Sequence, residues 1–272
     1  MSIEKLTLSD FRNHKRTSLT FSPGVNVIWG KNGSGKTSAL EAIHILSVGK
    51  SFKTNKIQET IQTDCLQSKL VGVFVSDTIK NEISVKQNKN KNKTITINNA
   101  TVSTKEILGK NPAVVLSPEE QTITSGSPKD RRKYFDRVFS VVSKTYLNSL
   151  VSYRKTLKQR NFLLKTKAKK NDLLPWDFKL SEFGVELWKE KNRLLQKFQK
   201  NLHTASNNYN KEGVLVGVSQ KTQEENPDRF LFQLEKHKTK DLALGYTTFG
   251  PHTDRIGVFF NNKNIKTFGS QG

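Results

Sequence analysis

The chain has 272 residues, 34% of them hydrophobic, and its 16 Phe and 3 Trp supply the apolar surface of a packed core and exclude a disordered tail. Its 46 Lys and Arg outnumber 24 Asp and Glu, and the net charge of +22 favours a polyanionic partner over a merely solubilising lysine-rich surface. One cysteine, Cys65, excludes an internal disulfide, and the lack of an apolar leader or membrane-length run predicts a cytoplasmic protein that does not contact membranes.

Short alternating or apolar runs predict β-strands along the first 116 residues. The predicted strands are 5–8, 19–21, 25–29, 70–75, 82–86, 94–97 and 113–116. A polar Lys/Asn run at 87–92 separates two of them and predicts a solvated hairpin tip.

Residues 30–37, GKNGSGKT, match the phosphate-loop pattern G-x-x-x-x-G-K-[ST] between a predicted strand, VNVIW, and a predicted helix, TSALEAIHIL. Glycines let backbone N–H groups point at phosphate oxygens, Lys36 neutralises phosphate charge, and Thr37 can hold Mg²⁺. The candidate nucleotide-binding residues are Gly30, Lys31, Asn32, Gly33, Ser34, Gly35, Lys36 and Thr37. The pattern predicts binding of ATP or GTP, and neither a guanine-reading N-K-x-D motif nor a lid-like arginine cluster accompanies it.

The character of the chain changes after Pro128, where apolar residues three or four apart predict a long helix over 129–170 with room for one break. The stretch TKAKKNDLLPW, 166–176, predicts a turn, and a second periodic run over 180–202 predicts a helix that packs antiparallel on the first. Strand signals return at 214–218, 256–260 and 264–268, with a turn at Asn261 and Asn262. These signals predict an α/β fold with a β-rich nucleotide lobe, 1–116, a helical insertion, 117–243, and a return to the first lobe, 244–272.

Several blocks carry a resemblance to a known family. The start, LTLSDFRNHKRTSLTFSPGVNVIWGKNGSGKTSALEAIHILSVGKSF, resembles the SMC-like branch of the ABC ATPases, and most closely its RecF family. Similar to later blocks of that family, in the same order, are LSPEEQTITSGSPKDRRKYFD (116–136), TLKQRN (156–161), PWD (175–177) and TTFGPHTDRI (247–256). The departures are mild: Thr124 and Phe135 replace aliphatic positions, and Arg255 stands where a second acidic residue is usual.

The resemblance implies an ABC-type P-loop ATPase head in which ATP and Mg²⁺ lie between two copies of the protein. The closing tripeptide SQG resembles the start of the ABC signature, so Ser270 and Gly272 would contact the γ-phosphate of the other copy. Arg12 matches a family position near the phosphates, although a surface arginine after a strand is the alternative. The loop at 119–121 would approach Mg²⁺ or the attacking water. In this family the Walker B strand, which carries the catalytic acid, would come later than the 272 residues of this chain, so the resemblance implies an incomplete head. The whole protein would be a slow ATPase, and this chain would be inactive.

The resemblance further implies binding of duplex DNA at gaps or single-strand/double-strand junctions by an ATP-dependent homodimer. RecR and RecO would be its partners in placing RecA. Four basic residues on or near the predicted helical hairpin are candidate phosphate contacts, with a solvated helix face as the alternative: Arg131, Arg132, Lys158 and Arg160. The five histidines show no metal-ligand spacing, and the resemblance gives His252 a structural role.

Other functions remain open from the residues alone. A different SMC-like chromosome or repair ATPase head would carry a long coiled coil, and the helical region here is short and lacks sustained heptads. A P-loop kinase of a small molecule and a bare nucleic-acid-binding module are the alternatives from other classes.

Overall fold

The computed structural model describes residues 2–76, 78–90, 92–116, 123, 126–166, 170–209, 216–219, 224, 226–260, 263–264 and 267. The chain divides into two compact units, Met1–Val115 and Leu116–Gly272. Among the helices described, none combines the length and the apolar character that a membrane crossing requires.

The first unit is built on a six-stranded antiparallel sheet with the strand order β2-β1-β3-β4-β5-β6. Its strands are β1 (Ser2–Phe11), β2 (His14–Thr20), β3 (Gln67–Ser76), β4 (Ile79–Asn88), β5 (Lys93–Ile97) and β6 (Ala100–Val102). Two helices accompany the sheet, α1 (Lys36–Val48) and the single-turn α2 (Thr104–Ile107). Five predicted strands and the predicted helix after the phosphate loop are confirmed.

Alternation along the strands gives this sheet one apolar and one polar face, because successive side chains point to opposite sides. Leu6 and Leu8 of β1 and Val85 of β4 are fully buried on the apolar face. They form one cluster with Ala42 and Leu46 of α1, which therefore covers that face. The polar face carries residues such as Lys69 and Lys86, which are exposed.

Two hairpin turns of the sheet show how short polar sequences set its register. Strands β4 and β5 form a hairpin as predicted; within the run at 87–92, Gln87 is a buried residue of β4 and residue 91 lies outside the described residues. Asn98 and Asn99 adopt positive φ angles of 48° and 67° and connect β5 to β6, a strand that was not predicted. The Asn-Asn pair was the available signal, since two-residue hairpin loops favour residues that tolerate the left-handed region.

Two predicted strands are wrong. Residues 25–29 and 113–116 pair with no strand in the described part of the chain. Val25 and Trp29 are 93% and 88% exposed, and Val114 is 96% exposed. An apolar run becomes a strand only when a neighbour accepts its hydrogen bonds, and the sequence of the run does not reveal that neighbour.

Four helices make up most of the second unit: α3 (Pro128–Val142), α4 (Lys144–Lys165), α5 (Lys170–Tyr209) and α6 (Pro227–Leu244). Ser127 caps α3 in a capping box with Asp130, and Pro128 occupies the first helical position. Ser143 is extended, with φ −140° and ψ 114°, so it ends α3 and its hydroxyl caps α4. The long predicted helix with one break is thus confirmed.

The second helix begins earlier than predicted. Helix α5 starts at Lys170 and contains Pro175, so the predicted turn at 166–176 is wrong from residue 170 onward. Pro175 is the sixth residue of this helix, so it removes only the backbone bond to residue 171, and the helix continues through it. Helices α4 and α5 are antiparallel as predicted, because Ser143 contacts Glu190 while Arg160, near the other end of α4, contacts Asp177.

Helix α6 was not predicted, although its ends carry clear signals. The Asn226 side chain caps it, Pro227 is its first residue, and Gly245 closes it with φ 72°. Its Phe230 packs against Trp188 of α5, at 5.1 Å between ring centroids. This contact joins α6 to the aromatic core of the second unit.

A small antiparallel sheet, β7 (Val216–Ser219), β8 (Gly257–Phe260) and β9 (Lys263–Asn264), matches the last three predicted strands in part. Asn261, Asn262 and several flanking residues lie outside the described residues. Described residues between 246 and 260 pack on helices of the second unit: Thr247, for example, contacts Asn161. The return of 244–272 to the first lobe stays a prediction.

Candidate nucleotide-binding site

The phosphate loop occupies residues 30–35 and leads directly into α1. Gly30, Gly33 and Gly35 have φ angles of 148°, 83° and 93°, in the region where a side chain is strained. Gly35 is the N-cap of α1, and the first helical bond runs from Ala39 N to Gly35 O, 3.0 Å. The N–H groups of the first helical turn have no intrahelical acceptor, so they face the loop as donors for an anion.

Lys36 folds its side chain back over this loop. Its Nζ donates to the backbone oxygens of Gly30 and Lys31, both at 2.8 Å. The ammonium is therefore held within the curve of the loop, where phosphate oxygens can exchange for the carbonyl oxygens. Ser34 N also donates to Lys31 O, 3.2 Å, which keeps the loop curved.

Two side chains, one from the turn between β1 and β2 and one from the first residue of β2, hold the loop from outside. Asn13 Nδ2 donates to Gly33 O at 2.7 Å, and His14 Nε2 lies 3.1 Å from Gly35 O. A carbonyl can only accept, so His14 Nε2 carries the proton and Nδ1 accepts from Thr17 Oγ1, 2.9 Å away. The sequence predicted no role for His14. Its position in the segment DFRNH, beside Arg12, was the signal that could have indicated one.

The same contacts explain why Gly35 has no side chain. A Cβ at this position would lie 2.4 Å from His14 Nε2 and 2.8 Å from Asn13 Oδ1. Close packing and positive φ therefore both require glycine here. The loop is fixed by its own glycines together with the β1–β2 turn.

Arg12 lies at the wall of the site, in a strained conformation with φ 55°. Its guanidinium donates to both oxygens of Glu41 in α1, at 3.0 and 2.7 Å, and to the backbone oxygen of Glu59. The Glu41 side chain is 0% exposed and the Arg12 side chain 22% exposed, so the pair is a half-buried bidentate contact between the β1–β2 turn and α1. Arg12 thus positions elements around the site, and its own contact with ATP stays a prediction.

A cleft of about 880 Å³ opens in front of the loop. Its lining includes Asn32, Lys36, Thr37 and Lys53, together with Asp64. This volume is within the range of small-molecule sites and accommodates a nucleoside triphosphate. Thr37 lines the cleft with a hydroxyl that fits one ligand position of a phosphate-bound Mg²⁺, which keeps several water ligands.

Two parts of the predicted site are not placed. Ser270, Gly272 and the loop at 119–121 lie outside the described residues. Within the residues that are described, no group of three or more acidic, histidine or cysteine side chains could hold a metal ion by itself.

The four candidate DNA contacts have different surroundings. Lys158 is exposed on α4 and stays a candidate. Arg132 is half-buried and donates to Asp254 O at 2.6 Å, and burial lowers its pKa. Arg131 is only 8% exposed, because it shares the inward face of α3 with Phe135. Its assignment as a phosphate contact is corrected by this burial.

Arg160 is also corrected, because it is fully buried and cannot contact DNA. Its Nε donates to Asp177 at 2.6 Å, and its Nη1 donates to Asp241 and Thr247, both at 2.7 Å. The blocks TLKQRN, PWD and TTFGPHTDRI therefore meet in one ion network. Helical spacing was the available signal, since Tyr153 and Arg160 lie seven residues apart on one face.

A second buried cluster surrounds His252. Its Nε2 donates to Thr247 O, 2.9 Å, and its Nδ1 accepts from Tyr153 OH, 2.6 Å. Burial lowers the pKa of His252 to about 4, so the ring is neutral at pH 7. Nearby, Lys191 Nζ lies 2.9 Å from Asp254, whose pKa burial raises. These contacts are structural, as the resemblance implied for His252.

Comparisons with known proteins agree with this architecture. Residues 2–225 match the family described as the RecF/RecN/SMC N terminal domain. The chain is 35% identical, over 286 residues, to the DNA replication and repair protein RecF of Caldanaerobacter subterraneus subsp. tengcongensis, covering all of this chain and 78% of that protein. It is 34% identical, over 279 residues, to the same-named protein of Clostridium botulinum (strain Okra / Type B1), covering all of this chain and 77% of that protein.

A solved structure of a RecF protein also matches this chain. The recombination mediator protein RecF-ATP of the RecFOR pathway matches with a TM-score of 0.90 and 33% identity, over 99% of this chain and 76% of that one. This likeness confirms the predicted α/β fold of an ABC-type P-loop ATPase head. The chain therefore belongs to the RecF family of DNA replication and repair proteins.

Proposed function

We propose that this chain is an ATP-dependent DNA-binding protein of recombinational repair and replication-fork maintenance. ATP with Mg²⁺ binds at the phosphate loop and closes a homodimer, with Ser270 and Gly272 of each copy contacting the γ-phosphate held by the other. The closed dimer binds duplex DNA at gaps and single-strand/double-strand junctions. There, in the cytoplasm, it helps RecO and RecR to place RecA.

The geometry of the phosphate loop is the observation that carries the proposal. Lys36 lies within the curve of the loop, and three glycines allow N–H groups to converge toward one point. Asn13 and His14 hold two loop carbonyls on the outer side. A loop fixed in this way is pre-organised for a triphosphate, which lowers the ordering cost of binding.

The DNA part of the proposal is supported by charge and by family membership. The net charge of +22 attracts a polyanion over distances limited by salt screening. Relatives that share about a third of the sequence are named for DNA replication and repair. One candidate contact of the helical hairpin, Lys158, is exposed.

The test is the ATP affinity of Lys36→Ala. A hydrogen bond to a charged group contributes about 1.5–3 kcal/mol, so we expect ATP affinity to fall by roughly 10- to 150-fold. Equilibrium titration with a fluorescent ATP analogue measures this loss. Lys105→Ala, which removes an exposed lysine of α2 in the same unit, is the matched control and should bind normally. Equal affinity of Lys36→Ala and the parent would refute the nucleotide site.

A further inference from the structure

The polar face of the six-stranded sheet carries a row of cations. Lys69 of β3 lies directly opposite Lys86 of β4, and Ser9 of β1 lies between Lys69 and Arg16 of β2. We call Arg16, Lys69 and Lys86 the cation row. All three residues are exposed, and they alternate with the buried residues that face α1.

This arrangement opposes the stability of the sheet. Like charges directly across neighbouring strands destabilise an antiparallel pair, and Lys69 and Lys86 are such a pair. In the described part of the chain, no carboxylate forms an ion pair with a member of the cation row. A negatively charged ligand that binds here would offset the repulsion between Lys69 and Lys86, which would explain why the two lysines lie opposite each other on an open surface.

The surroundings of the cation row suit an extended anion. The adjacent row across the sheet contains the hydroxyls of Ser18, Thr7, Ser84 and Thr96 on β2, β1, β4 and β5, with Val71 of β3 between Thr7 and Ser84. A shallow cleft of about 500 Å³ is lined by residues of both rows, including Lys69 and Lys86, and by one acidic residue, Asp10. Hydroxyl and ammonium groups are the donors that phosphate oxygens receive from proteins.

We propose that the cation row binds the phosphate backbone of duplex DNA. This inference rests on the proposed DNA-binding function and names the surface that performs it. Neighbouring strands are about 4.8 Å apart, so the row extends roughly 15 Å from Arg16 to Lys86. Each strand of a duplex carries one phosphate charge per about 3.4 Å of its axis, so the row is long enough to meet more than one phosphate. A second copy of this chain would place like charges together, so the row does not favour a homodimer contact.

The test is the double variant Lys69→Gln/Lys86→Gln, assayed by fluorescence anisotropy with a labelled DNA duplex and a slowly hydrolysed ATP analogue in 50 to 200 mM salt. Each lost phosphate contact reduces the slope of log affinity against log salt by about 0.9, so the slope should fall by about 1.8. The affinity deficit should then be about tenfold larger at 50 mM than at 200 mM salt. ATP affinity should not change.

Lys236→Gln/Lys240→Gln is the matched control, because it removes two exposed lysines one helical turn apart on α6. It should keep the parent's salt slope. Lys86→Glu adds a second measurement: an opposite charge across from Lys69 should raise the Tm by about 1–3 °C while DNA affinity falls. A residue with only a structural role would not move these two quantities in opposite directions.

The outcomes separate the two proposals. If the parent binds DNA and Lys69→Gln/Lys86→Gln binds with the same affinity and salt slope, the cation row is not the DNA surface and the proposed function stands. If the parent does not bind DNA at any salt, both fall. If Lys69→Gln/Lys86→Gln lost binding to phosphatidylserine vesicles that the parent shows, while its DNA binding stayed intact, the cation row would be a membrane-binding surface and the inference would be overturned.

Discussion

Arg160 shows how one buried cation organises the helical unit. It joins α4 to Asp177 of α5 and to Asp241 of α6, and Asp241 also accepts from Thr248 N at 2.9 Å. Burying three charges is costly, and the guanidinium compensates by bonding both carboxylates at once. The loop after α6 is thereby fixed on the helical hairpin.

Replacing Arg160 should therefore destabilise the protein strongly. Arg160→Met leaves two buried carboxylates without their cation, and we expect the free energy of unfolding to fall by about 3–5 kcal/mol, measured by urea denaturation. Arg154→Met is the control, because the Arg154 side chain is 57% exposed in its pair with Asp136. That pair should contribute less than about 1 kcal/mol. Similar losses for the two variants would contradict the structural role of Arg160.

At the scale of residues, sequence reasoning succeeded where a side chain's role depends on its immediate neighbours. The phosphate-loop pattern is recognisable because its glycines and Lys36 lie within eight consecutive positions, and the role of each residue in binding the nucleotide stays a prediction. Arg160 was misassigned because its partners are 17 and 81 residues away. An arginine on a predicted helix looks the same in the sequence whether it faces solvent or an aspartate that is distant along the chain.

Gly184 determines how closely two elements of the second unit approach. It lies within α5, and a Cβ built on it would be 2.5 Å from Cε2 of Phe230 and 2.7 Å from its Cζ. In a solvated helix, alanine would be more favourable than glycine by about 1 kcal/mol. At this site the ring of α6 occupies the space that the methyl group needs.

We therefore expect Gly184→Ala to lower the free energy of unfolding by about 1–3 kcal/mol, as overpacking does in a filled core. Thermal and urea denaturation measure the effect. In a Phe230→Leu background the smaller side chain makes room, so the same substitution should have much less effect, and a double-mutant cycle isolates the coupling. A more stable Gly184→Ala protein would show that the helices can separate without loss.

Helices were predicted from the sequence better than strands, because the signals that form a helix are local and strand pairing is not. Helices α3 and α4 were found with their break because helical bonds, caps and apolar spacing are all local. The strand at 25–29 was wrong because sheet pairing is not local, and its apolar residues are exposed. Residues 113–116 failed for the same reason. The missed α6 had local signals in its cap and terminal glycine.

At the scale of the whole molecule, a net charge of +22 affects the two proposed assemblies in opposite ways. Two copies of the chain repel each other, so ATP contacts must offset this repulsion when a homodimer closes. DNA, in contrast, is attracted by the same charge and releases counterions when it binds. Salt reduces both effects, because the Debye length falls from about 30 Å at 0.01 M to about 10 Å at 0.1 M.

Salt should therefore strengthen the ATP-dependent homodimer while it weakens the DNA complex. Analytical ultracentrifugation with a slowly hydrolysed ATP analogue measures the first at 0.01 and 0.1 M salt, and anisotropy with a labelled duplex measures the second. Lys36→Ala is the control: with the analogue held below the weakened affinity of this variant, it should remain monomeric at both salt concentrations. A homodimer that weakened with salt, as the DNA complex does, would be held together by attraction between complementary charges. Closure by ATP against the mutual repulsion of the two copies would then be wrong.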